Sequence, residues 1–482
     1  MDTGFNEKLI IAKNDFTVKV GEITIHSIYN PKAEAEKYID SLNLKPYKYF
    51  ILIEPGLNYL AFSLKNKFSA SQIISLHCSS FFSDNELSWN PASAETLEDF
   101  LERLLFNTDA SEVKLIDWKP SVNAYGKACL DLISVTVELI KRVSAGRKTI
   151  QNFGKRWFKN ALNNMELINN TVFVKTGSMQ ILVCASGPSL EDSINDIFLW
   201  KKKSPSLFII AVSSAAPVLL FNGIKPDIVI TTDGGSWAGF HLIEFIRHCK
   251  YNIGERPYIS AALTANLPSH IDNYPVIVLR DGSLWQNILL QQAGYFSLEF
   301  PQRGTVSVSA LDFAFYLTTG NVYICGMDFS HRDLLTHARP YAFEKISEQK
   351  QNRKNPLYSQ FFERQNMIHH SGSHNIYASW FSTHLSSFDV RLYSVGKSIF
   401  KLPAGKPFLD DSGTRMHFAI QNKKKKTTKK DCIDILFNSI KNPLMTKQLE
   451  KELGELLLPD MLPESSNYSD EIVKVLLELS DE

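Results

Sequence analysis

The chain carries almost no net charge: 52 Lys and Arg stand against 51 Asp and Glu, +1 overall among 482 residues. A balance this close offers no general pull toward nucleic acid or an anionic membrane. Cysteine is also scarce. The six (Cys78, Cys129, Cys184, Cys249, Cys325 and Cys432) are scattered, no two within four residues of each other. That spacing excludes a zinc knuckle or a CxxC redox pair, and several stand in apolar runs where a reduced thiol packs as a small hydrophobe. No window approaches the 18 or so uninterrupted apolar residues of a spanning helix. The segment from Met1 to Asp15 lacks the basic start and apolar core of a signal peptide. The expectation is a cytoplasmic protein that binds neither nucleic acid nor membrane.

What is present is ordinary for a soluble globular protein: 44% hydrophobic and 21% charged residues, enough for full cores. The length predicts two or three domains. Residues 1–140 alternate strand-like and helix-like segments. The β-rich run Tyr49–Ile53 is followed by Pro55-Gly56, a helix through Asn66, and a second run from Ile73 to Cys78, a βαβ pattern. A nucleotide-binding version would carry more glycine in the turn and an acid after the second strand. Here the second run ends in His77-Cys78, so a degenerate, structural Rossmann-like domain is expected. Residues 141–178 read as a helical connector, its basic cluster Lys148, Lys155, Arg156 and Lys159 facing solvent.

From 179 to 402 strands and helices alternate again. The expected strands are Gln180–Cys184, Leu207–Val212, Ile228–Thr232, Tyr258–Ala262, Val276–Leu279, Val322–Cys325 and Val390–Tyr393. Continuous apolar runs of this kind predict a parallel sheet covered on both faces. Residues 403–482 form a small helical C-terminal region, entered through the lysines at 423–426 and 429–430, which read as a solvated linker.

Chemistry concentrates at strand ends. Ser186, Gly187, Pro188 and Ser189 follow the first strand, where open α/β sheets bind ligands. Two readings of this turn stand side by side. It is a strand-to-helix turn whose acids Glu191 and Asp192 suit a helix N-terminus, or it is a phosphate cradle in which Gly187 admits the anion to backbone N–H groups. Asp233 and Asp328 close two further strands. If the strands are parallel, all three polar ends converge on one crevice, where a carboxylate holds ribose or sugar hydroxyls, or a metal.

These segments resemble the motility-associated factor family of flagellin glycosyltransferases, whose central domain is similar to bacterial CMP-sialic-acid-dependent sialyltransferases. The matching residues are Gly187-Pro188-Ser189-Leu190, Ala211 to Ala215, Gly223 to Asp227 with the strand through Asp233, Gly304-Thr305-Val306-Ser307, and Cys325 to Phe329. The early stretch His26 to Pro31 with Glu34-Ala35 is similar as well. The resemblance covers most of the chain and fades after about residue 405.

The resemblance implies inverting transfer of a nonulosonic acid (a sialic-acid-like sugar) from a CMP donor to Ser or Thr hydroxyls of flagellin, with no metal and no cofactor beyond the activated sugar. Nucleotide-sugar contacts are expected from Ser186, Gly187, Pro188, Ser189, Ser213, Asp233, Arg303, Gly304, Thr305, Ser307 and Asp328. A general base is also needed. His331, His337, His369, His370 and His374 crowd the stretch after Asp328, and Thr336-His337-Ala338 resembles the family's Thr-His-Ala. His337 is the first choice, then His374 and His370. Glu344 to His374 reads as a lid or acceptor-binding insertion. Tyr393 to Ser398 stands where the family has an Asn-Ser/Thr-Gly-rich turn. Two alternatives remain. Hydroxymethylpterin diphosphokinases have a similar central domain, move pyrophosphate from ATP and would want Mg²⁺ at Asp233 and Asp328. A non-catalytic flagellin-binding protein is the other.

Overall fold

Tyr49–Ile53 and Ile228–Thr231 are buried at every position, as strands covered on both faces must be. Each lies inside its own parallel sheet. The computed structural model describes residues 5–82, 86–105, 108–249, 256–301, 303–330, 332, 336–359, 362, 378, 381–382, 385, 391–396, 400, 402–408, 412–422, 427–441, 446–459, 461 and 467–481. It divides the chain into two units, Met1–Asn152 and Phe153–Glu482.

The first unit opens with an antiparallel meander, β1 (Glu7–Ile11), β2 (Phe16–Val20) and β3 (Ile23–Thr24). Helix α1 (Pro31–Ser41) starts at Asn30, whose side chain accepts from the Ala33 N–H, an N-cap that supplies one orphan donor with a partner. Then β4 (Tyr49–Ile53), α2 (Tyr59–Lys67), β5 (Gln72–Leu76), β6 (Ser88–Trp89), α3 (Leu97–Leu104), β7 (Val113–Asp117) and α4 (Lys119–Tyr125) follow. The strands pair in parallel in the order β6-β5-β4-β7.

The unit's own side chains fill the carboxyl end of this sheet. Glu54 and His77, just past β4 and β5, are wholly buried and meet at 3.1 Å, and Glu54 also accepts the Cys78 N–H at 2.6 Å. A Cβ on Gly56 would stand 2.6 Å from Nε2 of His26, whose ring packs against Tyr59 and Trp118. This is the physical content of a degenerate Rossmann-like domain.

Helix α5 (Lys127–Leu167) runs through the boundary. The second unit alternates β8 (Asn170–Lys175), β9 (Ile181–Cys184), α6 (Leu190–Lys203), β10 (Phe208–Val212), α7 (Ala216–Phe221), β11 (Ile228–Thr231), α8 (Gly239–His248), β12 (Tyr258–Ala262), β13 (Val276–Arg280), α9 (Leu284–Gln292), β14 (Ser297–Glu299), α10 (Val306–Leu317), β15 (Val322–Cys325), α11 (Ala342–Lys350), β16 (Leu392–Ser394) and β17 (His417–Asn422). The strand order is β16-β15-β9-β10-β11-β12-β13-β8-β17, with β14 beside β13. Every described pairing is parallel except β17 with β8. The expected Rossmann-like α/β class is therefore borne out.

The internal boundaries differ from those expected at 140, 178 and 402. The connector is not a separate piece: 141–167 belongs to α5, and its last turns bury Phe158, Leu162 and Met165 in the second unit's core. The C-terminal region is not separate either. Residues 417–422 form β17 on the main sheet, and the helices Lys429–Ile440, Thr446–Leu457 and Tyr468–Asp481 share the same core. Glu452 there accepts the Trp285 N–H at the start of α9. Residues 423–426 of the lysine run and, of the expected lid Glu344 to His374, residues 360, 361 and 363–374 lie outside the described residues.

Candidate active site

The connection leaving β9 goes to β10 on one side, while β9's other neighbour, β15, leads to β16. The carboxyl ends of β9 and β15 are therefore the sheet's switch point, the usual crevice of a doubly wound fold. Ser186–Ser189 leaves β9 there, and Gly326–Asp328 leaves β15.

The two segments are bonded to each other beyond the ends of the strands. Ala185 N–H reaches the Cys325 carbonyl at 2.9 Å, and Gly187 N–H reaches the Gly326 carbonyl at 2.7 Å. Asp328 then accepts from Ser189 twice, from the backbone N–H at 2.7 Å and from the hydroxyl at 2.5 Å. The approach is close enough to require glycine. A Cβ on Gly187 would stand 2.5 Å from the Gly326 carbonyl and 2.6 Å from Asp328. Gly326 has φ +69°, and a Cβ there would run into the Ala185 carbonyl.

The acids of the first α6 turn have a specific use. Glu191 accepts the Arg339 N–H at 2.9 Å, and Asp192 takes both guanidinium nitrogens of Arg332 at 2.9 and 2.7 Å. With the Ala338 N–H on the Ser186 carbonyl at 2.8 Å, they draw the chain around His337 over the start of α6. His337 is half-buried; its Nδ1 lies 3.0 Å from the Thr336 hydroxyl, and its ring stacks on Tyr341. His331, His369, His370 and His374 lie outside the described residues.

Not every expected residue joins this cluster. Ser213 is buried at the end of β10 with its N–H on the Ile230 carbonyl, while its neighbour Ser214 donates to the Ser186 hydroxyl at 2.7 Å. Asp233 follows β11, three strand spacings from β15, about 14 Å at the strand ends. Its carboxylate accepts the Gly235 N–H at 2.7 Å within its own loop. Asp233 and Asp328 thus do not converge as one pair. Among the described residues no group of three or more His, Cys, Asp or Glu side chains is placed to hold a metal. Two small pockets follow this division. One touches Ser189, Asp328, Ser394 and Phe400, and the other touches Thr232, Thr264, Asp281, Gln286 and Phe300.

The third expected loop enters α10, which lies along β9, β10, β11 and β15. Thr305 caps that helix, its hydroxyl accepting the Val308 N–H at 3.2 Å. Gly304 takes φ +75°. Arg303 is paired with Asp312 one helical stretch further on. Thr305 and Ser307 thus stand where the helix dipole favours an anion.

Sequence reasoning missed the residues that hold the loops still. Asn160 donates to the carbonyls of Gly234 and Thr264, and Asn164 to those of Leu263 and Ala265. Their spacing of four on an otherwise apolar face of α5 was the available signal. Tyr341, stacked on His337, and His241 of α8, packed against Tyr341, carried none, being single aromatic residues in unrelated segments.

Residues 155–333 match a family model described as MptE-like: 6-hydroxymethylpterin diphosphokinase MptE-like. An uncharacterized protein of Treponema pallidum (strain Nichols) is 27% identical over 254 residues, 52% of this chain. That match spans about half the relative's length, 53%. Among solved structures, the MAf glycosyltransferase from Magnetospirillum magneticum AMB-1 is similar over 98% of this chain and 86% of that one, with a TM-score of 0.53 and 11% identity. At that identity the likeness is one of fold. The resemblance seen in the motifs holds at that level, across almost the whole chain.

Proposed function

We propose that this chain is a glycosyltransferase that moves a nonulosonic acid from a CMP donor to Ser or Thr hydroxyls of flagellin. The observation that carries the reading is the extent of the fold likeness, which takes in the N-terminal unit and the C-terminal helices. The pterin-enzyme family model reaches only residues 155–333.

In this reading His337 takes the acceptor's proton as the hydroxyl oxygen bonds to the anomeric carbon. The bond from that carbon to the CMP phosphate oxygen breaks, and CMP leaves with the electron pair. Gly304, Thr305 and Ser307 at the α10 start, with Arg303 beside them, face the departing phosphate. Ser186, Gly187, Pro188, Ser189 and Asp328 shape the crevice between β9 and β15, Ser213 stands at the end of the neighbouring β10, and Asp233 offers its carboxylate to sugar or ribose hydroxyls. Co-expression with flagellin tests the reading. Flagellin should gain the mass of one or more nonulosonic acid residues, and an unchanged flagellin mass would refute it.

The family-model match favours one second reading, pyrophosphate transfer from ATP to a hydroxymethylpterin. The Mg²⁺ such a transfer calls for could not be held by Asp233 and Asp328 together, since their strand ends stand about 14 Å apart. AMP release from ATP and hydroxymethylpterin, abolished by EDTA, would establish it in place of the first; CMP release unaffected by EDTA would dismiss it.

A further inference from the structure

The backbone just after His337 is clamped, by Ala338 N–H on the Ser186 carbonyl and Arg339 N–H on Glu191. A clamped backbone does not by itself orient an imidazole, which keeps its own side-chain rotamers. Tyr341 faces that ring. The two centroids are 4.2 Å apart and the planes differ by 4°, a face-to-face contact that restricts rotation of the smaller ring.

Tyr341 is itself immobilised. It is buried, it starts α11, and its ring meets His241 of α8 at 5.3 Å and Phe343 at 5.1 Å. His241 and Phe343 are in turn 4.8 Å apart. The Tyr341 ring is therefore held by two elements, α8 and α11, rather than by the segment that carries His337. A ring anchored this way transmits the position of the second unit's core to one imidazole.

We propose that Tyr341 is a positioning residue for His337, setting the imidazole plane so that Nδ1 stays on Thr336 and Nε2 is aimed at the acceptor hydroxyl. The proposal rests on the reading of His337 as the base. The contribution comes from the aromatic face, not the phenolic hydroxyl. A misaimed base still binds its substrates but transfers the proton poorly, so the effect belongs in turnover rather than affinity.

The test uses the full chain, a CMP-activated nonulosonic acid and flagellin, with CMP release as the readout. Tyr341→Leu should lower kcat roughly 10- to 100-fold with the donor KM within about twofold. Tyr341→Phe should stay within about threefold of wild type, which keeps the proposal testable if the leucine variant folds poorly. In a His337→Ala background, Tyr341→Leu should cost nothing further. Full turnover by Tyr341→Leu, additive losses in the double variant, or a phenylalanine variant as slow as the leucine one would each overturn the proposal. Ring-proton NMR separates the two layers. The His337 ring protons, assigned from the His337→Ala spectrum, should be shifted upfield in wild type and Tyr341→Phe and released in Tyr341→Leu. Unshifted wild-type signals would overturn the positioning role. Released signals together with a fully active His337→Ala would leave the orientation standing and overturn the base assignment instead.

Discussion

Asp328 takes both the backbone N–H and the hydroxyl of Ser189, at 2.7 and 2.5 Å, from a different strand end. The carboxylate thus occupies the donors that a phosphate at the start of α6 would use. Anion recognition at this helix start and closure of the crevice between β9 and β15 are competing uses of the same two donors.

Asp328→Ala removes the acceptor and leaves Ser189 unsatisfied. Hydrogen bonds to a charged group contribute about 1.5–3 kcal/mol each, so the variant should unfold at a clearly lower urea concentration. Its vacated donors should also bind inorganic phosphate or CMP more tightly than wild type does. Calorimetric titration reads the second effect. Weaker binding would mean that Asp328 contacts the nucleotide directly instead of standing in for its phosphate.

Gly187→Ala is expected to destabilise the protein by about 1–3 kcal/mol, as overpacked positions do. The added Cβ would lie inside contact distance of both the Gly326 carbonyl and Asp328. A melting temperature equal to wild type would show that the loops past β9 and β15 part easily.

Two histidines predict sensitivity to acid. Burial holds His26 and His241 at about 4, below the ordinary 6.5. Between those values the unfolded chain binds a proton that the folded chain does not, so the unfolded state gains as pH falls. Stability is full above about pH 6.5 and declines toward pH 4, by up to about 3 kcal/mol for each group. His241→Phe should flatten that decline for unfolding of the second unit. An equally steep decline in the variant would assign the acid sensitivity elsewhere.

His337→Ala should cut turnover roughly 10²–10⁴-fold with donor affinity little changed. His370→Ala and His374→Ala are the matched comparisons. A normal His337→Ala beside an inactive His374→Ala would move the role to His374.

Much of the second unit was legible from local pattern. Continuous apolar runs such as Ile228–Thr231 have one stable home, a strand buried on both faces, and the helices between them require parallel pairing. β17 was not legible. His417–Asn422 is short and mixed in polarity, and its strand character comes from pairing with β8, some 240 residues earlier. The connector was misjudged for a related reason: helical periodicity marks a helix but not the core into which each of its faces packs.

At the candidate site, residue order along the chain already says which groups stand at strand ends: the serines after β9, Asp233 after β11, Asp328 after β15. Alternation along the chain is enough to place them at the carboxyl edge. Tertiary structure decided which of them meet. Strand order puts β15 beside β9 and sets β11 three strands away, so Asp328 reaches Ser189 while Asp233 closes on its own loop. It also decided why Glu191 and Asp192 follow the turn, since their partners Arg339 and Arg332 lie some 140 residues downstream. Local pattern is read from neighbours in the chain; hydrogen bonds and ring contacts depend on ångström distances between segments that only packing brings together.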